Sequence, residues 1–325
     1  MPRISAVNTF CHATRNFQPI LDRIHTPGHL QEAFEVAYCA RKSPSHNELI
    51  ISAIMPSKQA DITPYISVAT PVFNAAATVG RTLDAMCRQT ASFEHVVYDG
   101  GSSDATREII ESWMERYPLR LMRAENLGVY GNVANAHKTT KGEVMGWING
   151  DDFYLPYTLS VVERIFKSRP DIEWITGIPS YYFEGEGLWG VHGMVPIYNQ
   201  TLIRLGWYRS KLLGCLQQES MFWRRSLYER ADGDAILRRY RYAADYHLWR
   251  AFARHAPLRS VGTVLSTFTF RAGQFSEVKR QEYDAECGVP KNAINLFALG
   301  FIFRGLYSNL LFANSIDPKT FISRK

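Results

Sequence analysis

Residues 144–152 read VMGWINGDD: a short apolar run, Val144 to Ile148, that ends directly in Asn149, Gly150 and two adjacent aspartates, Asp151 and Asp152. The run predicts a strand, and the polar cluster is its C-terminal exit. Two neighbouring carboxylates repel each other unless a cation or a donor lies between them. No turn geometry calls for such a pair, whereas a hard divalent cation takes oxygen ligands of this kind.

The same arrangement recurs upstream. Ile66 to Thr70 (ISVAT) predicts a strand stopped by Pro71 and followed by Phe73 and Asn74. Thr78 to Arg88 predicts a helix with Val79, Leu83 and Met86 on one face. His95 to Tyr98 predicts a second strand, running straight into Asp99-Gly100-Gly101-Ser102-Ser103-Asp104. Asp104 suits the N-cap of a helix reaching Glu115. Leu119 to Arg123 predicts a third strand, Asn126-Leu127-Gly128 opens a loop, and a helix begins at Val133. Strands alternating with helices at this spacing predict an α/β fold: a Rossmann-like, mostly parallel central sheet with helices on both faces. Open sheets of this type bind ligands at the C-terminal edge, which is where Asp99 and Asp151-Asp152 fall.

Composition narrows the class. The chain has 325 residues, 46% apolar, which excludes a disordered chain, and no repeat marks a fibre. Its net charge of +6 is concentrated between Arg204 and Arg259, where twelve Lys/Arg face five Asp/Glu. That basic half fits an anionic partner or a solvated helix face, and no nucleic-acid-binding motif accompanies it. Cys11, Cys39, Cys87, Cys215 and Cys287 are odd in number and none has CxxC spacing, so a reducing, cytoplasmic setting is expected. Charged and polar residues interrupt the first twenty positions, against a signal peptide. Ala293 to Ala313 holds 15 apolar residues of 21 but carries Arg304 at its centre. A central Arg disfavours a span, leaving a helix packed on the body or a peripheral contact with the membrane interface.

The ordered set ISVATPVFNAAATVGRTLDAM, VVYDGGSSDAT and WINGDDFYLP resembles the nucleotide-sugar half of an inverting family 2 glycosyltransferase with the GT-A fold, and the likeness runs from Ile66 to Arg271. It implies residues 64–275 as the GT-A domain, with 64–155 the nucleotide-sugar half and 156–275 the acceptor half. Residues 1–63 form an N-terminal extension and 276–325 a hydrophobic helical tail. The resemblance implies that Thr70, Pro71 and Val72 line the base and ribose, that Asn74 begins the loop over the donor, and that Asp99 hydrogen-bonds the base. It puts Asp151 toward the ribose and Asp152 on the metal, Mn2+ or Mg2+, of a DxD-type site with Asn at 149. Asn126 to Asn132 resembles a loop that places Gly128 beside the donor, with Gly131 where the family carries an acid. Tyr242 to Trp249 (YAADYHLW) resembles the helix start that holds the general base, here Asp245.

The residues agree with that chemistry. A diphosphate leaving group gathers negative charge, which a cation stabilises, and a separate carboxylate must take the proton of the acceptor hydroxyl. Asp245 also reads as a plain helix cap, and Glu219 is the alternative base. Gln217 and Gln218 read as acceptor-binding groups or a polar loop, and Arg224, Arg225 or Arg271 as diphosphate contacts. The implied function is transfer of a sugar from a nucleotide donor, such as a UDP-sugar, to a carbohydrate or lipid-linked carbohydrate in cell-envelope polysaccharide or glycolipid synthesis. A non-catalytic nucleotide-sugar-binding or assembly subunit is the alternative. A nucleotidyltransferase would need a Gly-rich, basic loop after the first strand, and TPVFNA has neither Gly nor a basic residue.

Overall fold

The computed structural model describes residues 63–123, 127–184, 187–191, 195–209, 212–271, 273–288 and 315–316, with residues 187–189 and 315–316 described in backbone only. The expectations for 1–62, for Asn126 and for the apolar segment 293–313 lie outside them.

In chain order the elements are β1 (Ile66–Val72), α1 (Val79–Cys87), β2 (Phe93–Asp99), α2 (Thr106–Glu111), β3 (Leu119–Arg123), α3 (Gly128–Lys138), β4 (Val144–Trp147), β5 (Phe153–Tyr154), α4 (Thr158–Ser168), β6 (Trp174–Thr176), β7 (Ser180–Phe183) and β8 (Gly187–Val191). Then come α5 (Gln200–Leu205), a 3-10 turn at Gln218–Ser220, β9 (Phe222–Arg224), α6 (Arg225–Arg230), α7 (Gly233–Arg239), α8 (Ala244–Phe252), β10 (Arg259–Val261), β11 (Ser266–Phe270), α9 (Phe275–Val278), α10 (Arg280–Cys287) and β12 (Ser315–Ile316).

Among the described residues the main sheet runs β12-β10-β6-β9-β4-β1-β2-β3, and a smaller one runs β5-β11-β7-β8. The pairs β1–β2, β1–β4 and β2–β3 are parallel, while β9 lies antiparallel between β4 and β6. The chain therefore steps outward from β1 to β3 and then returns to the far side of β1 at β4. The C-terminal edge of β1 and β4 is thus a topological switch point, where such sheets open a crevice.

Every residue of β1 is buried, as a strand flanked by parallel partners and covered on both faces requires. Pro71 is expected to end this strand, yet β1 continues to Val72. The Ala69 carbonyl accepts from the Ile148 amide on one side, and the Val72 carbonyl accepts from Gly100 on the other. Backbone groups alternate along a strand, so the missing amide of Pro71 faces the β4 side, where β4 has already ended at Trp147. No ladder bond is lost there. Helix α2 ends at Glu111, short of the expected Glu115, and its capping position is Ala105 rather than Asp104; the Asp104 carboxylate instead accepts the Ala76 and Thr106 amides and so ties the β1–α1 loop to the helix start. Helix α3 starts five residues before the expected Val133, at Gly128 itself, whose backbone is left-handed with φ +75°.

The core is centred on tryptophans. Trp249 of α8 stacks on Trp147 of β4 at 5.8 Å and Trp174 of β6 at 6.0 Å, and meets Trp223 of β9 edge-on at 5.5 Å. Leu248, Trp249 and Phe252 face inward as their spacing predicts, and all are buried. This pins α8, which carries Asp245 in its first turn, to three strands at once. Trp249→Ala is expected to cost about 3–5 kcal/mol. The melting temperature then falls by roughly 6 °C or more in a thermal denaturation scan.

Candidate functional site

Two loops meet beyond β1 and β2. Asn74 adopts a left-handed conformation at φ 49°, which Asn tolerates, and its side-chain oxygen accepts from the Ser103 amide at 2.9 Å. Ser102 in turn donates its amide (2.9 Å) and hydroxyl (2.6 Å) to Asp99 Oδ1. The other oxygen, Asp99 Oδ2, is buried without a partner. A buried acceptor left open at a sheet edge fits a ligand N–H donor. The Thr70 hydroxyl points inward instead, 2.8 Å from His95 Nε2, a ring that burial keeps neutral by pulling its pKa to about 3. Thr70, Pro71 and Val72 are buried in the strand end, so they can shape a crevice but the Thr70 side chain is already engaged.

The VMGWINGDD exit lies against this edge. A Cβ at Gly150 would sit 2.8 Å from Val72 Cγ1, so only glycine lets the loop pass over the end of β1. Of the two aspartates that follow, the resemblance assigns the metal to Asp152. Asp152 is the buried one: its Oδ1 accepts the Thr269 amide at 2.8 Å and its carbonyl accepts the Thr82 hydroxyl at 2.7 Å. Burial first, then Glu219 and Asp151, raise its pKa well above the usual carboxylate range. Asp151 is the accessible member, with Arg271 Nε 3.3 Å from its carboxylate and an Arg81 nitrogen 3.5 Å from its carbonyl.

Beneath the pair, Asn149 donates to Gln218 at 3.2 Å and lies 3.4 Å from Asp152 Oδ2. An acid at 149 would add a third carboxylate to Asp152 and Glu219, whereas the amide supplies donors. Glu219, on the 3-10 turn, is 2% exposed, and burial pushes its carboxyl up to about 8. It feels the charges of both Asp151 and Asp245, so it lies within electrostatic reach of each.

Asp245 is half-buried, and burial raises its pKa to about 6 against the opposing pull of nearby donors. One of these was missed in the sequence. The Tyr130 hydroxyl of α3 lies 3.0 Å from Asp245 Oδ1 and 2.9 Å from the Tyr242 carbonyl, and its single proton serves one of them at a time. The signal was present, since the motif-like loop at 126–132 contains this tyrosine.

Other candidates fall elsewhere. Gln217 bonds both backbone groups of Ser180, and Gln218 donates to the Trp147 carbonyl. Arg224 and Arg225 hold carbonyls and side chains near the opposite, N-terminal end of β4, including Ile172, Phe166, Glu143 and Gly142. Of the three arginines only Arg271 reaches the site. Arg81, unsuspected in the sequence, joins it, lying over the Tyr182 ring at 4.8 Å. Among the described residues no cluster of three or more His, Cys, Asp or Glu is arranged to hold a metal. No helix among them is long and apolar enough to cross a membrane.

Residues 67–230, half of the chain, match the family model described as Glycosyl transferase family 2. The chain belongs to this family. Validoxylamine A glucosyltransferase of Streptomyces hygroscopicus subsp. jinggangensis is 41% identical over 68 residues, covering 20% of this chain and only 16% of that protein. An uncharacterised glycosyltransferase of Rickettsia felis is 25% identical over 235 residues, 70% of this chain and 37% of its own length. In fold, the chain is similar to S. aureus TarS 1–349 in complex with UDP-GlcNAc (TM-score 0.52, 17% identity, 65% of this chain and 60% of that one). It is also similar to the mannosyltransferase PcManGT of Pyrobaculum calidifontis in complex with GDP-Man and Mn2+ (TM-score 0.50, 16% identity, 82% of both chains). The expected Rossmann-like GT-A architecture is therefore met; Asp245 lies beyond the matched family segment.

Because the Tyr130 hydroxyl favours the charged form of Asp245, Tyr130→Phe is expected to move the Asp245 carboxyl titration upward by about one pH unit. Carbon-13 NMR of aspartate-labelled protein, with the resonance assigned by its loss in Asp245→Asn, measures the shift.

Proposed function

We propose that the protein transfers a sugar from a nucleoside diphosphate donor to an acceptor hydroxyl, with Asp151 on the donor side and Asp245 as general base. The observation that carries this reading is the pair of carboxylate stations. Asp151 lies at the C-terminal exit of β4, and Asp245 on α8 has its pKa raised to about 6, with buried Glu219 within electrostatic reach of both.

A Mg2+- or Mn2+-type cation is commonly held by one or two carboxylates together with substrate phosphates. Asp151, accessible beside Arg271, fits that pattern without a cluster of protein ligands. Asp152, with one oxygen on the Thr269 amide, supports it from behind. The cation supplies positive charge against the diphosphate. Arg271 and Arg81 are placed to add to that charge. Asp99 Oδ2 accepts an N–H of the base, as a uracil would provide, in the crevice shaped by Pro71 and Val72 under the Asn74 loop.

In the reaction the acceptor oxygen attacks the anomeric carbon and its proton passes to an Asp245 oxygen. The bond from that carbon to the phosphate oxygen breaks, and its electron pair leaves with the diphosphate. Attack opposite the leaving group inverts the anomeric configuration. Tyr130 holds the base in direction. The acceptor is a carbohydrate or lipid-linked carbohydrate of the cell envelope, used at the cytoplasmic face.

The base must be deprotonated to act, so activity rises with pH through about 6 and is lost below it. Asp245→Asn is expected to lower transfer by roughly 100- to 10,000-fold while leaving donor binding near wild type. Asp151→Asn is expected to abolish the manganese-dependent part of donor binding. A thermal-shift series with UDP-glucose, UDP-GlcNAc and GDP-mannose, with and without Mn2+, reads the binding, since a ligand of the folded state raises its stability. Full transfer by Asp245→Asn would remove it as base. Donor binding indifferent to Mn2+ and chelator would remove the cation.

A further inference from the structure

Helix α8 has no N-terminal cap of its own. Its capping position is Ala243, which offers no side-chain acceptor. The acceptor arrives from α10. Glu286 takes the Arg241 amide on Oε1 at 2.9 Å, and the Tyr242 and Ala243 amides on Oε2 at 2.7 and 2.6 Å. The Glu286 carbonyl lies 3.1 Å from His247 Nε2, whose ring stacks on Tyr240 at 3.7 Å. Cys287 is buried with Ala243 and Tyr246, and Tyr283 packs against them. The Tyr283 hydroxyl also faces the Asp245 carboxylate. All of these residues lie beyond the segment matched to the family.

We propose that α10 belongs to the base station: Glu286 is a positioning residue that closes the N-terminal end of α8 and so sets the direction and the basicity of Asp245. The inference rests on Asp245 being the base.

The amide-rich end of a helix favours a nearby carboxylate in its charged form, which makes that carboxylate a weaker base. Asp245 already meets the Tyr246 amide and its own. Three further free amides, at 241–243, would add to this pull. Glu286 occupies all three and sets a negative charge against the positive helix end. The groups facing Asp245 are Tyr130 from α3, Glu219 from the 3-10 turn, and Tyr283 and Cys287 from α10, while Glu286 holds the backbone that leads into α8. Tyr130 and Tyr283 donate toward the charged carboxylate and Glu219 opposes its charge, whereas Glu286 acts through the amides it occupies.

The test uses the full chain with Glu286→Gln, which keeps the shape but removes the charge and one acceptor, and Glu286→Ala. The Asp245 titration, followed by carbon-13 NMR, is expected about half a pH unit lower in Glu286→Gln. Stabilisation by UDP with Mn2+ is expected to stay near wild type in that variant. Glu286→Ala is expected to give the same direction with a lower melting temperature. An Asp245 titration unmoved in Glu286→Gln, or an equal loss of UDP–Mn2+ stabilisation, would overturn the role of Glu286 and leave α10 a structural support. Transfer that persists in Asp245→Asn would instead overturn the base assignment beneath it.

Discussion

The site depends on the parallel pairing of β1 with β2 on one side and β4 on the other. Register places Val72 beside Asp99, and β4 stops opposite Ala69. Three chain exits therefore open on one edge: the Asn74 loop, the Asp99 turn and the Asp151-Asp152 turn. Reversal of strand order at β1 keeps connecting helices from covering that edge. Each polar residue there follows from where a strand ends, and Gly150 allows the last exit to cross the first.

Charge is then sorted by depth. Asp152 and Glu219 are buried together, which is costly for two ionised groups and raises both pKa values. Their partners show what the burial achieves. Asp152 accepts an amide from β11 and, through its carbonyl, a hydroxyl from α1, so it joins the two sheets and a helix beneath the crevice. Asp151, one residue earlier on the turn, is left accessible between two guanidinium groups. A pair that looks equivalent in sequence thus divides into a buried member tied to β11 and α1 and an accessible one beside Arg271.

The parallel sheet and its polar edge were legible because they rest on local patterns: buried apolar runs, helical spacing and a carboxylate after each run. Asp245 was legible through its helix, whose Leu248, Trp249 and Phe252 mark the inner face. What stayed hidden depended on distant partners. Nothing near Asp151 in sequence tells it from Asp152, because the difference lies in Thr269 and Arg271, more than a hundred residues on. Arg81 reads as an ordinary helix residue until the Tyr182 ring and the Asp151 carbonyl are seen beside it. Arg224 and Arg225 looked like diphosphate contacts, but β9 runs antiparallel, and that reversal carries its C-terminal arginines to the far end of β4.

Helix α8, which carries Asp245, shows the same dependence on distance. Its inner face is packed on the sheet through Trp249. Ahead of its first turn the backbone amides are closed by Glu286 from another helix, while the carboxylate meets Tyr130 from a third. Asp245 thus has neighbours in α3, which packs against β1 and β2, and in α10, which lies beyond the matched family segment. Asp99 and the two aspartates after β4 come from one stretch of sequence and draw only Thr269 and Arg271 from far away, whereas the surroundings of Asp245 are assembled from α3, α8 and α10.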